Sequence, residues 1–483
     1  HELSQSTLFT IGTFFVLWIL LTVCSLLLFW KWTIKPLSIL FLLINSGVFY
    51  FVKNYHIAVD EEMLRNVLQT NPHETAELLN FTLLAFIISR LNFTETSIFK
   101  QRGTLFAICL ALFAAIIVPN SKDVAQFVRN NKPVKYLLVP VNYIGAIIST
   151  VKHNMRANHE FTPIGLDSHF TKYWKNDKPL LIVFVVGETA RAANFSLDGY
   201  KRETNAPLIP YLNNIINFTN TTSCGTSTAV SVPCMFAKDN RTEFNNGSLD
   251  YTENVLDIFK KNDWRVVWLE NNSDCKGVCT RVETYSPCAT NAGTCFDSIL
   301  TQEMQKQLAK PAQNTVMVMH QAGSHGPTYY KRYPKEFQRF APVCNTEKLN
   351  QCTGEEIINT YDNTLLYTSR NLADIISLLK NDYPQYNSLL IYVSDHGESL
   401  GEYNIYLHSA PYSIAPKEQK QIPFFLWADD SVFNALQIDK QCLEETKNTP
   451  VSHDNIFHTL LGIGGISASE YRQQLDLMYK CKK

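Results

Sequence analysis

The sequence has no excess of charge of either sign. Its 483 residues carry 43 lysines and arginines against 44 aspartates and glutamates, a formal net charge of −1. Proteins that bind nucleic acid through its phosphates need a basic surface, so this balance argues against nucleic acid as a partner. The length is large for one domain and suits two or three.

Charge is also missing from long stretches near the N-terminus. Residues 7–30 contain no charged side chain, and 36–52, 78–88 and 103–119 are three further apolar runs, the third of them short. About 20 consecutive apolar residues can span a bilayer as a helix. These runs predict an α-helical transmembrane domain over residues 1–125.

The basic residues between these runs predict the orientation of the membrane domain. Lys31 and Lys35 follow the first run, and Lys100 and Arg102 precede the fourth. Because positive charge marks the cytoplasmic side of short loops, everything after the fourth run is predicted to lie outside the cytoplasmic membrane. His1 would lie outside too, so we expect a further helix upstream of it.

A connector over residues 126–170 is predicted to join the membrane domain to a soluble domain at 171–483. Within it, residues 134–149 are apolar enough to lie on the membrane surface as an amphipathic segment. A plain linker helix packed against the protein explains the same pattern equally well.

Cysteine is nearly absent from the first 220 residues of the chain. Of 12 cysteines, all but Cys24 and Cys109 follow residue 220. Disulfides persist only in oxidising compartments, so these cysteines indicate a periplasm-like location. A zinc-binding cysteine cluster is the less favoured alternative, because the spacings do not repeat as they do in zinc ribbons. Proximity suggests the pairs Cys224/Cys234, Cys275/Cys279, Cys288/Cys295, Cys344/Cys352 and Cys442/Cys481.

The soluble domain alternates apolar strands with amphipathic stretches. The run LLIVFVVG at 180–187 is typical of a strand buried on both faces, and an amphipathic stretch at 357–379 predicts a helix. Similar strands are predicted at 265–269, 315–320, 388–394 and 422–427. The alternation predicts an α/β domain with a mostly parallel sheet flanked by helices.

Acidic and imidazole side chains follow three of these strands. Glu188 follows the first, Asp395 and His396 follow another, and His320 ends a third, with His325 just beyond it. Ligands bind at the carboxyl ends of strands in such sheets, and carboxylate and imidazole groups together suit Zn²⁺. A single Glu after a strand is more often a cap or a surface charge, so the prediction depends on the combination.

A second motif, SCGTSTAVSVPC at 223–234, places small hydroxyl residues after a glycine at the start of a predicted helix. Helix N-termini favour anions, which makes this a suitable phosphate site. A Thr or Ser there becomes a strong nucleophile when a metal lowers its pKa. Taken alone, the motif is better explained as an ordinary helix N-cap.

Together these motifs resemble the phosphoethanolamine–lipid A transferases, the family that includes the mobile colistin-resistance enzymes. The resemblance rests on GETARAAN at 187–194, SCGTSTAVSVPCMF at 223–236, GSHGPTYY at 323–330 and YVSDHGESLGEYNIY at 392–406. It covers nearly the whole chain from about residue 36 onward. It implies an alkaline-phosphatase-like fold for the catalytic domain.

The resemblance also implies roles for particular residues. Thr228 would be the nucleophile, and one tightly held zinc would be bound by Glu188, Thr228, Asp395 and His396. His325 and His408 would line the phosphate site or hold a second, weaker zinc, and Lys276 would contact the phosphate. Asn66, Thr70 and Glu74 match positions that the family uses near the lipid headgroup; their spacing of four would put them on one helix face, where a solvated polar stripe is the alternative.

Three further expectations complete this interpretation. The family has five transmembrane helices against four apolar runs here, which agrees with a helix upstream of His1. His453 and His458, at the start of an apolar helix, are interpreted as structural. The protein would be a monomeric, multi-pass protein of the bacterial inner membrane with its catalytic domain in the periplasm.

The implied reaction transfers phosphoethanolamine from phosphatidylethanolamine to a lipid A phosphate through a phospho-threonine, in a zinc-dependent ping-pong scheme. It would reduce the negative charge of lipid A and so weaken the binding of polymyxins. The alternatives are the same chemistry on a core sugar or a protein, a phosphatase, sulfatase or glycerol-phosphate polymerase on the same scaffold, and a disulfide-rich receptor with structural zinc. Structural zinc sites are closed by Cys or His ligands, so a hydroxyl in the set argues against the receptor.

Overall fold

The computed structural model describes Thr22 and residues 34–55, 63–64, 111, 144–145, 147–148, 160–245, 247–290 and 295–483. The chain divides into two compact units, His1–Lys53 with Leu79–Asn142, and Asn54–Leu78 with Tyr143–Lys483. Helix α1 (Ile34–Tyr55) covers the predicted apolar run at 36–52. Across the residues described, no helix combines the length and the apolarity that crossing a membrane requires. Of the other three runs only Thr22 and Ala111 are described, and most of 134–149 lies outside the described residues.

The second unit is built around one seven-stranded sheet. Its strands are β1 (Leu180–Gly187), β2 (Ile215–Asn217), β3 (Arg265–Glu270), β4 (Glu283–Tyr285), β5 (Thr315–His320), β6 (Asn387–Ser394) and β7 (Phe424–Ala428). Their spatial order is β2-β7-β6-β1-β5-β3-β4. Strands β6, β1, β5, β3 and β4 are parallel neighbours, whereas β7 is antiparallel to both β6 and β2. The mostly parallel sheet predicted from the sequence is confirmed.

Strand β1 is central because both of its faces are covered. Ile182, Phe184 and Val186 point into one hydrophobic cluster, while Leu181 and Val183 belong to the cluster on the opposite face. All eight residues of the strand are buried. This explains the uninterrupted apolar run, since a strand covered on both sides has no solvent-facing position to fill with polar residues.

Helices cover both faces of the sheet. They are α2 (Thr228–Phe236), α3 (Val255–Lys261), α4 (Ser298–Leu308), α5 (Gly354–Asn381), α6 (Asp430–Ala435), α7 (Lys440–Thr446) and α8 (Ile456–Gly464). The clusters show that α2, α3 and α8 pack on one face and α4 and α5 on the other. Helix α5 begins with a capping box, in which the Thr353 and Glu356 side chains bond each other's backbone N–H.

Short ladders and disulfides fix the connecting segments. Two-residue strands pair His169–Phe170 with Ile466–Ser467, Ser399–Leu400 with Tyr406–Leu407, and Thr221–Thr222 with Val451–Ser452. The five predicted disulfides are all present: Cys224–Cys234, Cys275–Cys279, Cys288–Cys295, Cys344–Cys352 and Cys442–Cys481. The second of these excludes a zinc-cysteine site at residues 275 and 279.

Candidate active site

Two metal-ligand candidates are placed by the pairing of β1 with β6. The strands are parallel neighbours, and their last residues, Gly187 and Ser394, face each other. Glu188 and Asp395 come next, and the Asp395 N–H donates to the Gly187 carbonyl at 2.9 Å. Both carboxylates are buried. The parallel register therefore delivers two acidic groups to one point at the sheet edge, as the sequence predicted.

The segment after β6 has one position, Gly397, where only glycine fits. A Cβ on Gly397 would lie 2.0 Å from the carbonyl oxygen of Glu418. Glycine here lets the residue 417–421 segment run against the loop that carries His396. Gly397 also accepts a hydrogen bond from His396 Nδ1 at 2.9 Å through its carbonyl oxygen. That bond places the proton on Nδ1 and leaves the Nε2 lone pair facing the site.

Thr228 is the first residue of helix α2, where the sequence predicted a helix start. The preceding Ser227 occupies the N-cap position, but its side chain makes no capping hydrogen bond, and its Oγ is buried without a partner in the described part of the chain. The ordinary N-cap interpretation is therefore not what the structure has at this residue. Thr228 itself is buried and reaches Glu188 and His396.

Four side chains converge at this point. Thr228 Oγ1 lies 3.1 Å from Glu188 Oε2 and 3.3 Å from His396 Nε2. His396 Nε2 lies 3.3 Å from Asp395 Oδ2 and 3.5 Å from Glu188 Oε1. Ligand atoms of Glu188, Asp395 and His396 all lie within 4.8 Å of one another.

The donor set fits a zinc ion. Asp395 Oδ1 already accepts the N–H groups of Thr189 and His396, at 3.0 and 2.7 Å, whereas the buried Oδ2 has no hydrogen-bond partner among the described residues. In the tautomer fixed by Gly397, Nε2 and this oxygen are both acceptors facing each other. A cation between them satisfies both, and a set of two carboxylates, an imidazole and a hydroxyl suits Zn²⁺.

The electrostatics of the three ionisable groups favour a positive charge where their ligand atoms meet. Burial opposes ionisation of Glu188, but the imidazoles of His396, His325 and His408 outweigh it and lower its pKa. Burial, then the charge of Glu188, raises the pKa of Asp395 to about 7. Burial works against the imidazolium of His396, yet Asp395 and Glu188 raise its pKa. Two buried carboxylates thus depend on positive charge at the position where the ligand atoms meet.

His325 and His408 border the same cluster. The His408 ring centroid lies 4.4 Å from that of His396 and 5.3 Å from that of His325. His408 Nδ1 lies 3.1 Å from Glu398 Oε2, which fixes the ring as a carboxylate does beside many metal-binding histidines. Burial and the charge of His396 lower the pKa of His408 to about 3, so the ring is neutral and able to act as a ligand.

Lys276 lies in a loop that contacts the candidate metal ligand Glu188 through Asn272. Its Nζ donates to the carbonyl and hydroxyl oxygens of Ser273, at 3.2 and 3.1 Å. Asn272, four residues earlier, donates from Nδ2 to Glu188 Oε2 at 2.7 Å and to the Gln321 carbonyl at 2.8 Å. Asn272 is not among the residues predicted for the site, although it lies just after β3, and position after a strand is the signal that identified Glu188.

Two other predictions have different outcomes. Asn66, Thr70 and Glu74 lie outside the described residues. His453 is buried and makes structural contacts: the Cys224 N–H donates to its Nδ1 at 3.1 Å, and its Nε2 donates to the Ser394 carbonyl at 2.9 Å. The structural interpretation of His453 is confirmed, and so is that of His458, whose Nδ1 accepts the Arg472 N–H at 3.1 Å.

Comparison with known proteins gives consistent matches over the whole chain. Residues 16–155 match the family model "Phosphoethanolamine transferase EptA/EptB", and 181–466 match the sulfatase family model. Phosphoethanolamine transferase EptA of Escherichia coli K12 is 39% identical, over 97% of this chain and 89% of the relative. Phosphatidylethanolamine transferase Mcr-1 of Escherichia coli is 34% identical, over 94% and 88%.

A solved structure also matches nearly the whole chain. It is the integral membrane protein lipooligosaccharide phosphoethanolamine transferase A (EptA) from Neisseria meningitidis, with a TM-score of 0.91 and 36% identity. The match covers 97% of this chain and 91% of that one. It therefore includes the N-terminal segments as well as the catalytic domain.

Proposed function

The chain belongs to the EptA/EptB family of phosphoethanolamine transferases, and from that premise we propose that it transfers phosphoethanolamine from phosphatidylethanolamine to a phosphate of lipid A. The observation that carries the proposal is the convergence of the Thr228 hydroxyl with Glu188, Asp395 and His396 at the start of a helix. A hydroxyl in a potential metal site is suited to group transfer rather than to structural zinc.

Glu188, Thr228, Asp395 and His396 would hold one zinc ion. When bound, zinc lowers the pKa of a hydroxyl ligand and stabilises negative charge on phosphoryl oxygens. The protein supplies the geometry: Gly397 fixes the tautomer of His396, and Asn272 holds Glu188. His325 and His408 would line the phosphate position or hold a second, weaker zinc, and Lys276 would contact the phosphate.

The reaction would proceed in two displacements at phosphorus. In the first, Thr228 Oγ1 bonds to phosphorus and the bond from phosphorus to the diacylglycerol oxygen breaks. The hydroxyl of Thr228 donates to Glu188 Oε2, so an acceptor stands beside its proton, which ends on the departing diacylglycerol. In the second, a lipid A phosphate oxygen gives up its proton and bonds to phosphorus, the bond to Thr228 breaks, and the Thr228 oxygen takes up that proton.

The relatives support the donor, the acceptor class and the location. Mcr-1 is named a phosphatidylethanolamine transferase, and the Neisseria protein is named an integral membrane protein acting on lipooligosaccharide. Five disulfides agree with an oxidising periplasm. We propose a monomer with a transmembrane domain at 1–125 in the bacterial inner membrane, a connector at 126–170 and a periplasmic catalytic domain at 171–483. Asn66, Thr70 and Glu74 would contact the lipid headgroup.

Mass spectrometry of lipid A tests the proposal directly. Cells would express the intact chain, Thr228→Ala or Thr228→Ser, and polymyxin susceptibility would be measured in parallel. We expect added phosphoethanolamine and reduced susceptibility with the intact chain, none with the alanine variant, and partial activity with serine, which keeps the hydroxyl. Unmodified lipid A together with diacylglycerol release would show that lipid A is not the acceptor. A core sugar, a protein or water would then accept the group. Phosphoethanolamine on lipid A from cells with the alanine variant would show that Thr228 is not the nucleophile.

A further inference from the structure

A pair of basic side chains stands beside the site on a single aromatic ring. The guanidinium carbon of Arg241 lies 3.4 Å from the Tyr412 ring centroid, and Lys420 Nζ lies 5.2 Å from it. All three side chains are partly exposed. Arg241 and Lys420 come from segments far apart in the chain, so the fold has brought two positive charges together on one ring.

This pair is built into the loops that carry the nucleophile and the metal ligands. Arg241 Nε donates to the Cys224 carbonyl at 3.0 Å, and the Tyr412 hydroxyl donates to the Ser223 carbonyl at 3.1 Å. The Lys420 carbonyl accepts the Ser223 N–H at 2.8 Å. Ser223 and Cys224 begin the motif that leads to Thr228, so the pair is attached to the nucleophile loop at three points.

The same segments border the metal-ligand loop. The carbonyl of Gln419, next to Lys420, accepts the Gly397 N–H at 3.0 Å, one residue from His396. The Ser409 N–H, next to His408, donates to the Thr226 carbonyl at 2.7 Å. The Gln419–Lys420 segment is therefore bonded both to the nucleophile loop, through Ser223, and to the loop of His396, through Gly397.

Among the residues that the structure describes, no carboxylate forms an ion pair with either basic side chain. Asp454 accepts the backbone N–H of Arg241 at 2.8 Å, and Glu418 is the acidic group that acts on Lys420, but in the described part of the chain neither makes an ion pair with the Arg241 or Lys420 side chain. Burial, then the charge of Arg241, lowers the pKa of Lys420. The Nη groups of Arg241 make no hydrogen bond to the described residues, which leaves the guanidinium fork available to an anion.

We propose that Arg241 and Lys420 bind a phosphate of the acceptor and guide it to the phosphorylated Thr228. The inference rests on the proposed function. The zinc ligands and Lys276 account for the phosphate of the donor, whereas the second displacement brings in another phosphate, and two anions at one point would repel. A separate basic pair beside the nucleophile loop supplies the attraction that this second anion needs.

Kinetics of the two half-reactions test the assignment. The purified full chain, loaded with zinc, would be assayed for diacylglycerol release from phosphatidylethanolamine and for transfer to bis-phosphorylated lipid A over a range of acceptor concentrations. The variants are Lys420→Gln and Arg241→Gln, and Lys417→Gln is the matched control because Lys417 is exposed on the same short segment. Inorganic phosphate would be added as a competitor.

We expect Lys420→Gln to raise the KM for lipid A at least tenfold while diacylglycerol release changes less than twofold. Inorganic phosphate should compete with lipid A in the intact chain, and more weakly in the variant. Added salt should raise the acceptor KM of the intact chain more than that of the variant. Lys417→Gln should behave as the intact chain does.

Other outcomes overturn the assignment. An unchanged acceptor KM in Lys420→Gln shows that the pair does not bind the acceptor. An equal fall in diacylglycerol release assigns the pair to the donor phosphate instead. Because Arg241 contacts the nucleophile loop, its variant counts only if its zinc content and thermal midpoint match the intact chain, whereas Lys420→Gln is informative by itself. If the intact chain releases no diacylglycerol, the proposed function fails instead.

Discussion

The Nε2 of His453 donates to the carbonyl of Ser394 at 2.9 Å, across 59 residues of sequence. Its other nitrogen accepts the N–H of Cys224 at 3.1 Å, so the ring has one donor and one acceptor in use and must be neutral. Ser394 precedes the metal-ligand candidates, and Cys224 lies in the motif of Thr228. One buried imidazole therefore fixes the distance between the metal-ligand loop and the nucleophile loop.

Protonation of His453 should destabilise the folded protein. Burial lowers its pKa from 6.5 to about 4, so its contribution to stability is complete above about pH 6.5 and is lost as the pH falls toward 4. The shift corresponds to roughly 3 kcal/mol. We expect the free energy of unfolding of the intact chain to fall between pH 7 and pH 4.5, and to fall less in His453→Gln. Denaturant titrations with the exposed His169→Gln as control measure this. Equal pH dependence of the two variants would contradict the assignment.

Replacing Asp395 by Asn should remove the metal. The Oδ1 position already accepts two backbone N–H groups, so the new amide NH₂ would occupy the position of Oδ2 and face the cation with a donor. We expect zinc content to fall below half of that in the intact chain, and transfer to fall at least ~100-fold, beyond what changes to outer-shell residues cost. Metal analysis and the lipid A assay check both, with the exposed Asp382→Asn as control. Full zinc content in Asp395→Asn would exclude this residue as a ligand.

Replacing Asn272 by Ala should weaken catalysis without unfolding the protein. The amide holds Glu188 Oε2 at 2.7 Å, and a hydrogen bond to a charged group contributes about 1.5–3 kcal/mol. We expect zinc affinity or transfer rate to fall about 10- to 100-fold. The matched control is Asn220→Ala on the surface. Unchanged zinc affinity together with an unchanged rate would show that Glu188 keeps its orientation without Asn272.

Removing either of two disulfides should lower stability, but removing only one of them should also lower activity. Cys224–Cys234 encloses the start of helix α2 and Thr228, whereas Cys442–Cys481 ties helix α7 to the C-terminal residues. Replacing either pair by serine should cost about 2–4 kcal/mol of stability. Only the loss of Cys224–Cys234 should also lower the transfer rate per folded molecule. Chemical denaturation and the lipid A assay at a temperature where both variants are folded compare them; equal activity would show that the nucleophile loop holds its shape unaided.

The sequence by itself determined the mostly parallel sheet and the three candidate metal ligands that follow its strands. The uninterrupted apolar run at 180–187 predicted a strand buried on both faces, and β1 begins and ends at those residues. Glu188, Asp395 and His396 were predictable because the carboxyl ends of parallel strands meet at one edge, so position after a strand implies proximity. Four of the five disulfides join cysteines at most 10 residues apart, and Cys442–Cys481, with a separation of 39, joins the remaining two of those after residue 220. The antiparallel direction of β7 carried no signal in its composition.

The tertiary structure alone decided the contacts made by loops. Asn272 reaches Glu188 across 84 residues, His453 reaches Cys224 across 229, and Arg241 and Lys420 share the ring of Tyr412. Hydrophobic periodicity fixes where strands and helices lie, but a polar loop has no period from which its path can be inferred. Which polar side chains meet depends on how each loop crosses the sheet edge. For that reason the candidate metal ligands were visible in the sequence, and the contacts that hold them, like the pair proposed to receive the second phosphate, were not.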